Sequence, residues 1–180
     1  MKNKDKELMK GDKYKSKGDM ENAERCYLRS IDSKPSFWAY MGLGDVYRAD
    51  GMYDDAIDNY RKAIEIDDGV TGDVIKAYHR LGRAYLSNSQ IRESLDTFKA
   101  CSHLHGTCVK QITDGIRSRT MSGMELVSCI LDSRLWVARL STDPEEKIKY
   151  YKGPMLFNVP MLQAEDYISL ALLRPSGKCG

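Results

Sequence analysis

Residues 37–68 read FWAYMGLGDVYRADGMYDDAIDNYRKAIEIDD, and this stretch decides the fold. Tyr40, Leu43, Gly44 and Tyr47 recur at three- and four-residue steps, so they fall on one face of a helix. Ala49, Asp50 and Gly51 interrupt the pattern. Ala56, Ile57, Tyr60, Ala63, Ile64 and Ile66 then resume it. The stretch therefore predicts two amphipathic helices joined by a tight turn. Gly44 and Ala56 are small where the two antiparallel helices would cross, and Tyr47 and Tyr60 are large enough to fill the space beside the crossing.

Copies of the pattern lie on either side. Gly11, Tyr14, Gly18, Ala23 and Tyr27 precede Gly44, Tyr47, Gly51, Ala56 and Tyr60 by 33 residues, and Gly82, Tyr85, Ser89, Ser94 and Phe98 follow them by 38. Self-similarity at this period indicates a helical array in which each pair buries its apolar face against the next. The order small, aromatic, turn, small, aromatic resembles the tetratricopeptide repeat (TPR) family. The second repeat carries the match most fully, through Leu43, Gly44, Tyr47, Gly51, Ala56, Tyr60 and Ala63. In the first, Pro35 closes the repeat as in the family, while Lys10 stands for the usual leucine and Ser30 for the usual alanine. In the third, Leu81, Gly82, Tyr85 and Phe98 fit, whereas Ser94 and Cys101 replace alanines and Gly106 replaces the closing proline.

The expected fold is all-α: a right-handed superhelical stack of antiparallel helix pairs, three TPR-like repeats followed by C-terminal capping helices. The repeats are placed at residues 4–36, 37–72 and 73–106, with residues 107–180 as helical cap and extension. Within the first repeat, helices are expected over Glu7 to Lys17 and Met20 to Ser33. In the third they run from Val74 to Leu86, with Asp73 as N-cap, and from Ile91 to His103. Further helices are expected from Cys108 to Arg119, from Gly123 to Leu140 behind the capping-box pattern Ser122-x-x-Glu125, and from Pro144 to Gly153. Met155 to Val159 reads as extended or irregular, and a last helix is expected from Pro160 or Met161 through Leu173.

Composition narrows the function. A chain of 180 residues with 42% hydrophobic and 30% charged residues is long enough for a substantial core. Its net charge of +2 gives no electrostatic reason to expect nucleic acid or membrane as partner. No apolar run approaches membrane-spanning length, and the lysine-rich start lacks the apolar core of a secretory signal. The five cysteines are an odd number, which argues against a disulfide framework. The expected location is the cytoplasm.

Catalytic groups are sparse. The three histidines, His79, His103 and His105, form no arrangement with a nucleophile that the sequence can support. Gly42-Leu-Gly44 lies inside a helix, so it reads as packing rather than as part of a nucleotide fingerprint. Cys101, His103, His105 and Cys108 place four zinc-type ligands within eight residues. Their spacing matches no zinc-site pattern, and Cys101 is already required for repeat packing. No metal or other cofactor is expected, and the protein is read as non-catalytic.

The resemblance to TPR proteins implies binding instead. In that family the first helix of each repeat lines a concave groove that receives extended peptides. Mapped by repeat position, Asp5, Leu8, Met9 and Asp12 come from the first repeat. Trp38, Met41, Gly42, Asp45 and Arg48 come from the second, and Lys76, His79, Arg80 and Arg83 from the third. Trp38 and Met41 are large apolar groups on a face expected to be open. Lys76, His79, Arg80 and Arg83 form a basic strip. The candidate peptide-binding set is thus Trp38, Met41, Asp45 and Arg48 together with that strip, suited to a peptide with an apolar anchor and an acidic end. TPR proteins that clamp the C-terminal carboxylate of cytosolic chaperones use five residues. Lys76 and Arg80 match two of them, but Leu8, Asp12 and Gly42 stand where the clamp has a lysine and two asparagines, so that clamp is not expected here. The leading expectation is an adaptor or co-chaperone-like module that binds a protein or peptide partner. The alternative is a structural subunit whose groove is filled by its own C-terminal segment, through Met155 to Leu162, or by another copy of the chain.

Overall fold

The computed structural model describes residues 6–66, 72–104 and 121–156. Within them lie eight helices and no strand: α1 (Lys6–Ser16), α2 (Met20–Ser33), α3 (Phe37–Ala49), α4 (Tyr53–Ile66), α5 (Gly72–Ser87), α6 (Ile91–His103), α7 (Met121–Leu140) and α8 (Pro144–Leu156). The chain divides into two compact units, residues 1–90 and 91–180. The helices expected over Cys108 to Arg119 and up to Leu173 lie outside the described residues, as do residues 157–159 of the stretch expected to be extended or irregular; its first two residues, Met155 and Leu156, are helical instead.

In the first unit consecutive helices pack in order, and α1 also meets α3. The small and aromatic positions of the repeat do what their sizes dictate. Ala23, Tyr27, Ala56 and Tyr60 are all wholly buried. Ala23, Tyr27, Leu43 and Val46 form one core cluster, with Leu8, Met20, Ile31 and Tyr47 packed on its margin. Helix starts are fixed by side-chain caps: Asp19 accepts from the Asn22 N–H at 3.2 Å, and Ser36 from the Ala39 N–H at 3.3 Å.

The turns that join the two helices of each repeat are built alike. Asp19 N–H donates to the Tyr14 carbonyl at 3.0 Å, Met52 N–H to that of Tyr47 at 2.8 Å, and Gln90 N–H to that of Tyr85 at 2.9 Å. Each is a helix end closed by a left-handed residue. That residue is Gly18 (φ 79°), Gly51 (φ 78°) and then Ser89 (φ 60°). A Cβ in this region costs about 1–2 kcal/mol, and the extra chain entropy of glycine recovers only part of the difference. Ser89→Gly is therefore expected to stabilise the first unit by about 0.5–1 kcal/mol, read as a higher urea midpoint. An unchanged or lower midpoint would show that the Ser89 side chain compensates for its backbone.

In the second unit α6, α7 and α8 share a core of Phe98, Leu135, Val137, Ala138, Tyr150 and Tyr151. Phe98 stacks on Trp136 with ring centroids 6.1 Å apart and planes 12° apart. Asp143 caps α8 by accepting from the Glu145 and Glu146 N–H groups at 3.1 and 3.3 Å, as the Asp-Pro-Glu-Glu sequence predicts. Lys99 Nζ meets Glu146 Oε1 at 2.8 Å; the contact holds the lysine above and the carboxylate below their ordinary ranges.

Several expected boundaries shift, and those of three helices change the reading of particular residues. α5 begins at Gly72, so Asp73 lies in its first turn rather than capping it, and its carboxylate faces Lys76 Nζ at 3.7 Å. α7 begins at Met121, so Ser122 is inside the helix and not its capping residue. α8 continues through Gly153 and Pro154 to Leu156. A proline near a helix end removes one backbone hydrogen bond without obliging the helix to stop.

Candidate interaction site

The site is built from the alternation of the repeat: α1, α3 and α5 are the first helices of their pairs, and one carboxylate ties them together. Asp45, on α3, accepts through Oδ2 from Lys15 Nζ of α1 at 2.9 Å and from Arg80 Nη1 of α5 at 2.9 Å. Its Oδ1 accepts from the Tyr60 hydroxyl of α4 at 2.8 Å. Side chains from three helices that are far apart in sequence therefore meet at a single residue. The Asp45 side chain is 13% exposed, and its cations are 29% and 33% exposed, so the network borders solvent.

The same hydroxyl–carboxylate pair occurs one repeat earlier, where the Tyr27 hydroxyl donates to Asp12 Oδ1 at 2.8 Å. Asp12 and Asp45 are 33 residues apart, as are Tyr27 and Tyr60. In the third repeat both partners change together: Phe98 has no hydroxyl, and Arg83 replaces the aspartate. Burial raises the pKa of Tyr27 and of Tyr60, and the neighbouring carboxylates raise both further. Tyr47 is pushed up to about 12 by burial and by its hydrogen bond to Glu24 at 3.0 Å. All three phenols stay protonated and act as donors.

Close packing beneath this face is enforced by glycine. The Tyr27 ring is gripped between Gly11 and Gly42, where an added Cβ would stand only 2.7 and 2.5 Å from ring carbons. A Cβ on Gly44 would stand 2.7 Å from the Tyr60 ring. Gly42 is thus a packing residue.

The structure places the candidate residues unevenly. Trp38 is 48% exposed, its ring edge-on to Phe37 with centroids 5.0 Å apart. Arg48 and Arg83 are exposed, whereas Lys76, His79 and Arg80 are half-buried. Met41 departs from expectation: at 1% exposure it is a core side chain and cannot serve as an open anchor. Arg80 is not an uncommitted cation but the partner of Asp45. Leu8 is partly buried against the first core, while Met9 at 53% exposure and Asp12 are open. Asp5 lies outside the described residues. Lys15 was not legible as a site residue; its only signal was a position three residues beyond Asp12 on the same helix.

Cys101, drawn into the sequence-based metal cluster, is wholly buried. Its sulfur accepts from the Ser133 hydroxyl at 3.2 Å, and burial pushes its thiol up to about 12. That is the chemistry of a core thiol rather than of a thiolate ligand. His103 is exposed, and His105 and Cys108 lie outside the described residues. Among the described residues no group of three or more histidine, cysteine or acidic side chains could hold a metal ion. Among them also, no helix is long and apolar enough to cross a membrane.

Comparison with known proteins agrees with the fold of stacked helix pairs. Two family models, each described as a tetratricopeptide repeat, match residues 8–37 and 35–102, together more than half of the chain. The chain belongs to the tetratricopeptide repeat family, whose members are in general non-catalytic protein-interaction modules. In fold it is similar to the TPR2B domain of yeast Sti1 in its pHsp70 complex, at 21% identity and a TM-score of 0.54 over 71% of this chain and 92% of that one. It is also similar to the nearly identical TPR-like repeats of a Podosopora anserina kinesin light chain candidate, at 12% identity and a TM-score of 0.50 over 93% and 91% of the two chains. No curated protein matches at a significant level.

Proposed function

We propose that this chain is a non-catalytic adaptor that binds an extended peptide, or an extended segment of a partner protein, on the face formed by α1, α3 and α5. The observation that carries this reading is the Lys15–Asp45–Arg80 network, which joins the three first helices into one continuous face. Trp38 stands on that face two turns before Asp45 and is half exposed, the state expected of an aromatic anchor awaiting a partner. Arg48 and Arg83 flank the network with exposed positive charge, which suits acidic residues beside the ligand's apolar anchor. A cytoplasmic setting fits the buried cysteines Cys26 and Cys101, neither of which forms a disulfide among the described residues.

The test is affinity capture from the native cell extract with wild type beside Trp38→Ala/Arg83→Glu. Arg80 is left intact because a glutamate there would face the Asp45 carboxylate and disturb folding. A partner enriched by wild type should fall by about tenfold or more with the double variant, the loss of roughly one anchor. Equal enrichment, with both proteins folded by circular dichroism, would move the binding surface off this face. Stronger capture after removal of residues 157–180 would favour a groove occupied by the chain's own C-terminal segment.

A further inference from the structure

We infer that Asp45 sets the charge specificity of this face by acting as a built-in carboxylate, occupying Lys15 and Arg80 so that an acidic ligand group does not. The inference deepens the interaction reading and rests on it. Both oxygens of Asp45 are committed, Oδ2 to the two cations and Oδ1 to the Tyr60 hydroxyl. Lys15 Nζ also lies 5.8 Å from the centre of the Tyr27 ring, so its position is held from two sides. Yet Lys15 and Arg80 each keep about three tenths of their surface in solvent. They are reachable by a ligand but already matched. A ligand carboxylate arriving there competes with one fixed in the chain, which meets the cations at high effective concentration and without losing translational freedom. The face therefore discriminates against ligands whose only grip is an acid at the Lys15–Arg80 position.

Asp45→Asn tests this with little change of shape. The amide oxygen can still accept from the Tyr60 hydroxyl, while the negative charge opposite Lys15 and Arg80 is removed. The probe is a fluorescein-labelled hexaglutamate peptide, with hexaglutamine as the uncharged control. Asp45→Asn should bind hexaglutamate about tenfold more tightly than wild type at roughly 0.05 M salt, with the gain largely screened near 1 M. Asp45→Asn/Arg80→Gln should lose most of the gain, and hexaglutamine should show none. Equal affinities of wild type and folded Asp45→Asn for hexaglutamate would overturn the inference, as would a gain undiminished by loss of Arg80. A second measurement needs no variant: amine-reactive labelling of wild type followed by peptide mapping. Lys15 should react several-fold more slowly than the exposed Lys17, and equal rates would show that the ion pair does not hold in solution. Failure here with Trp38-dependent capture intact removes the role of Asp45 alone. Loss of Trp38 dependence removes the interaction reading instead.

Discussion

Tyr60→Ala is expected to cost about 3–5 kcal/mol of stability, the range for deleting a fully buried aromatic ring. That is a large share of the 5–15 kcal/mol that holds a typical domain, so the variant should unfold at far lower urea or not fold at all. The ring is wholly buried and seats against Gly44, which has no side chain with which to fill the space. The hydroxyl adds a second loss, because it donates to Asp45 at the junction of α1, α3 and α5. Tyr60→Phe separates the two contributions. It keeps the ring and removes the hydroxyl, which donates to the charged Asp45 and also hydrogen-bonds Arg48, for about 1.5 kcal/mol or more. The third repeat makes that substitution naturally: Phe98 stands at the equivalent position, and Arg83 replaces the aspartate that a hydroxyl would serve. Urea denaturation followed by far-ultraviolet circular dichroism gives both numbers. Equal losses for Phe and Ala would mean that the hydrogen bond and not the ring governs the site.

These residues also show how much the sequence could reveal. Repeat period and residue size fix the helix pairs, because Gly, Ala and Tyr at constant spacing have few ways to pack. The turns follow from the same logic, down to the left-handed residue at 18, 51 and 89. The site was legible only in part. Position within the repeat identifies the helices that share a face but not which side chains on it are committed to each other. Asp45 and Arg80 were both readable as face residues, yet their pairing depends on the approach of α3 and α5, and the part played by Lys15 depends on α1 as well. Met41 misled for a related reason. A thioether on the face of a first helix looks open when that helix is drawn alone, but long flexible side chains turn into whatever space the neighbouring helices leave.

Gly42→Asn is expected to destabilise the first unit by about 3 kcal/mol or more, combining overpacking with a carboxamide forced among buried atoms. Resemblance to the chaperone-clamping repeats makes this a natural engineering step, since asparagine is what those proteins carry at this position. The geometry forbids it here. A Cβ on Gly42 would stand 2.5 Å from two carbons of the Tyr27 ring. The ring cannot retreat, because on its other side a Cβ at Gly11 would be only 2.7 Å away, and its hydroxyl is held by Asp12. Gly18→Ala is the informative control. Its Cβ would meet nothing within 4 Å, so it reports the conformational cost of a side chain at φ 79° alone, about 1 kcal/mol. A Gly42→Asn protein as stable as Gly18→Ala would show that Tyr27 can move aside. If instead the variant loses the larger amount, the first two repeats cannot acquire the clamp asparagine without giving up the aromatic ring around which their core is built. The proposed binding face then relies on the groups it already presents: Trp38, the exposed arginines, and the charge balance proposed for Asp45.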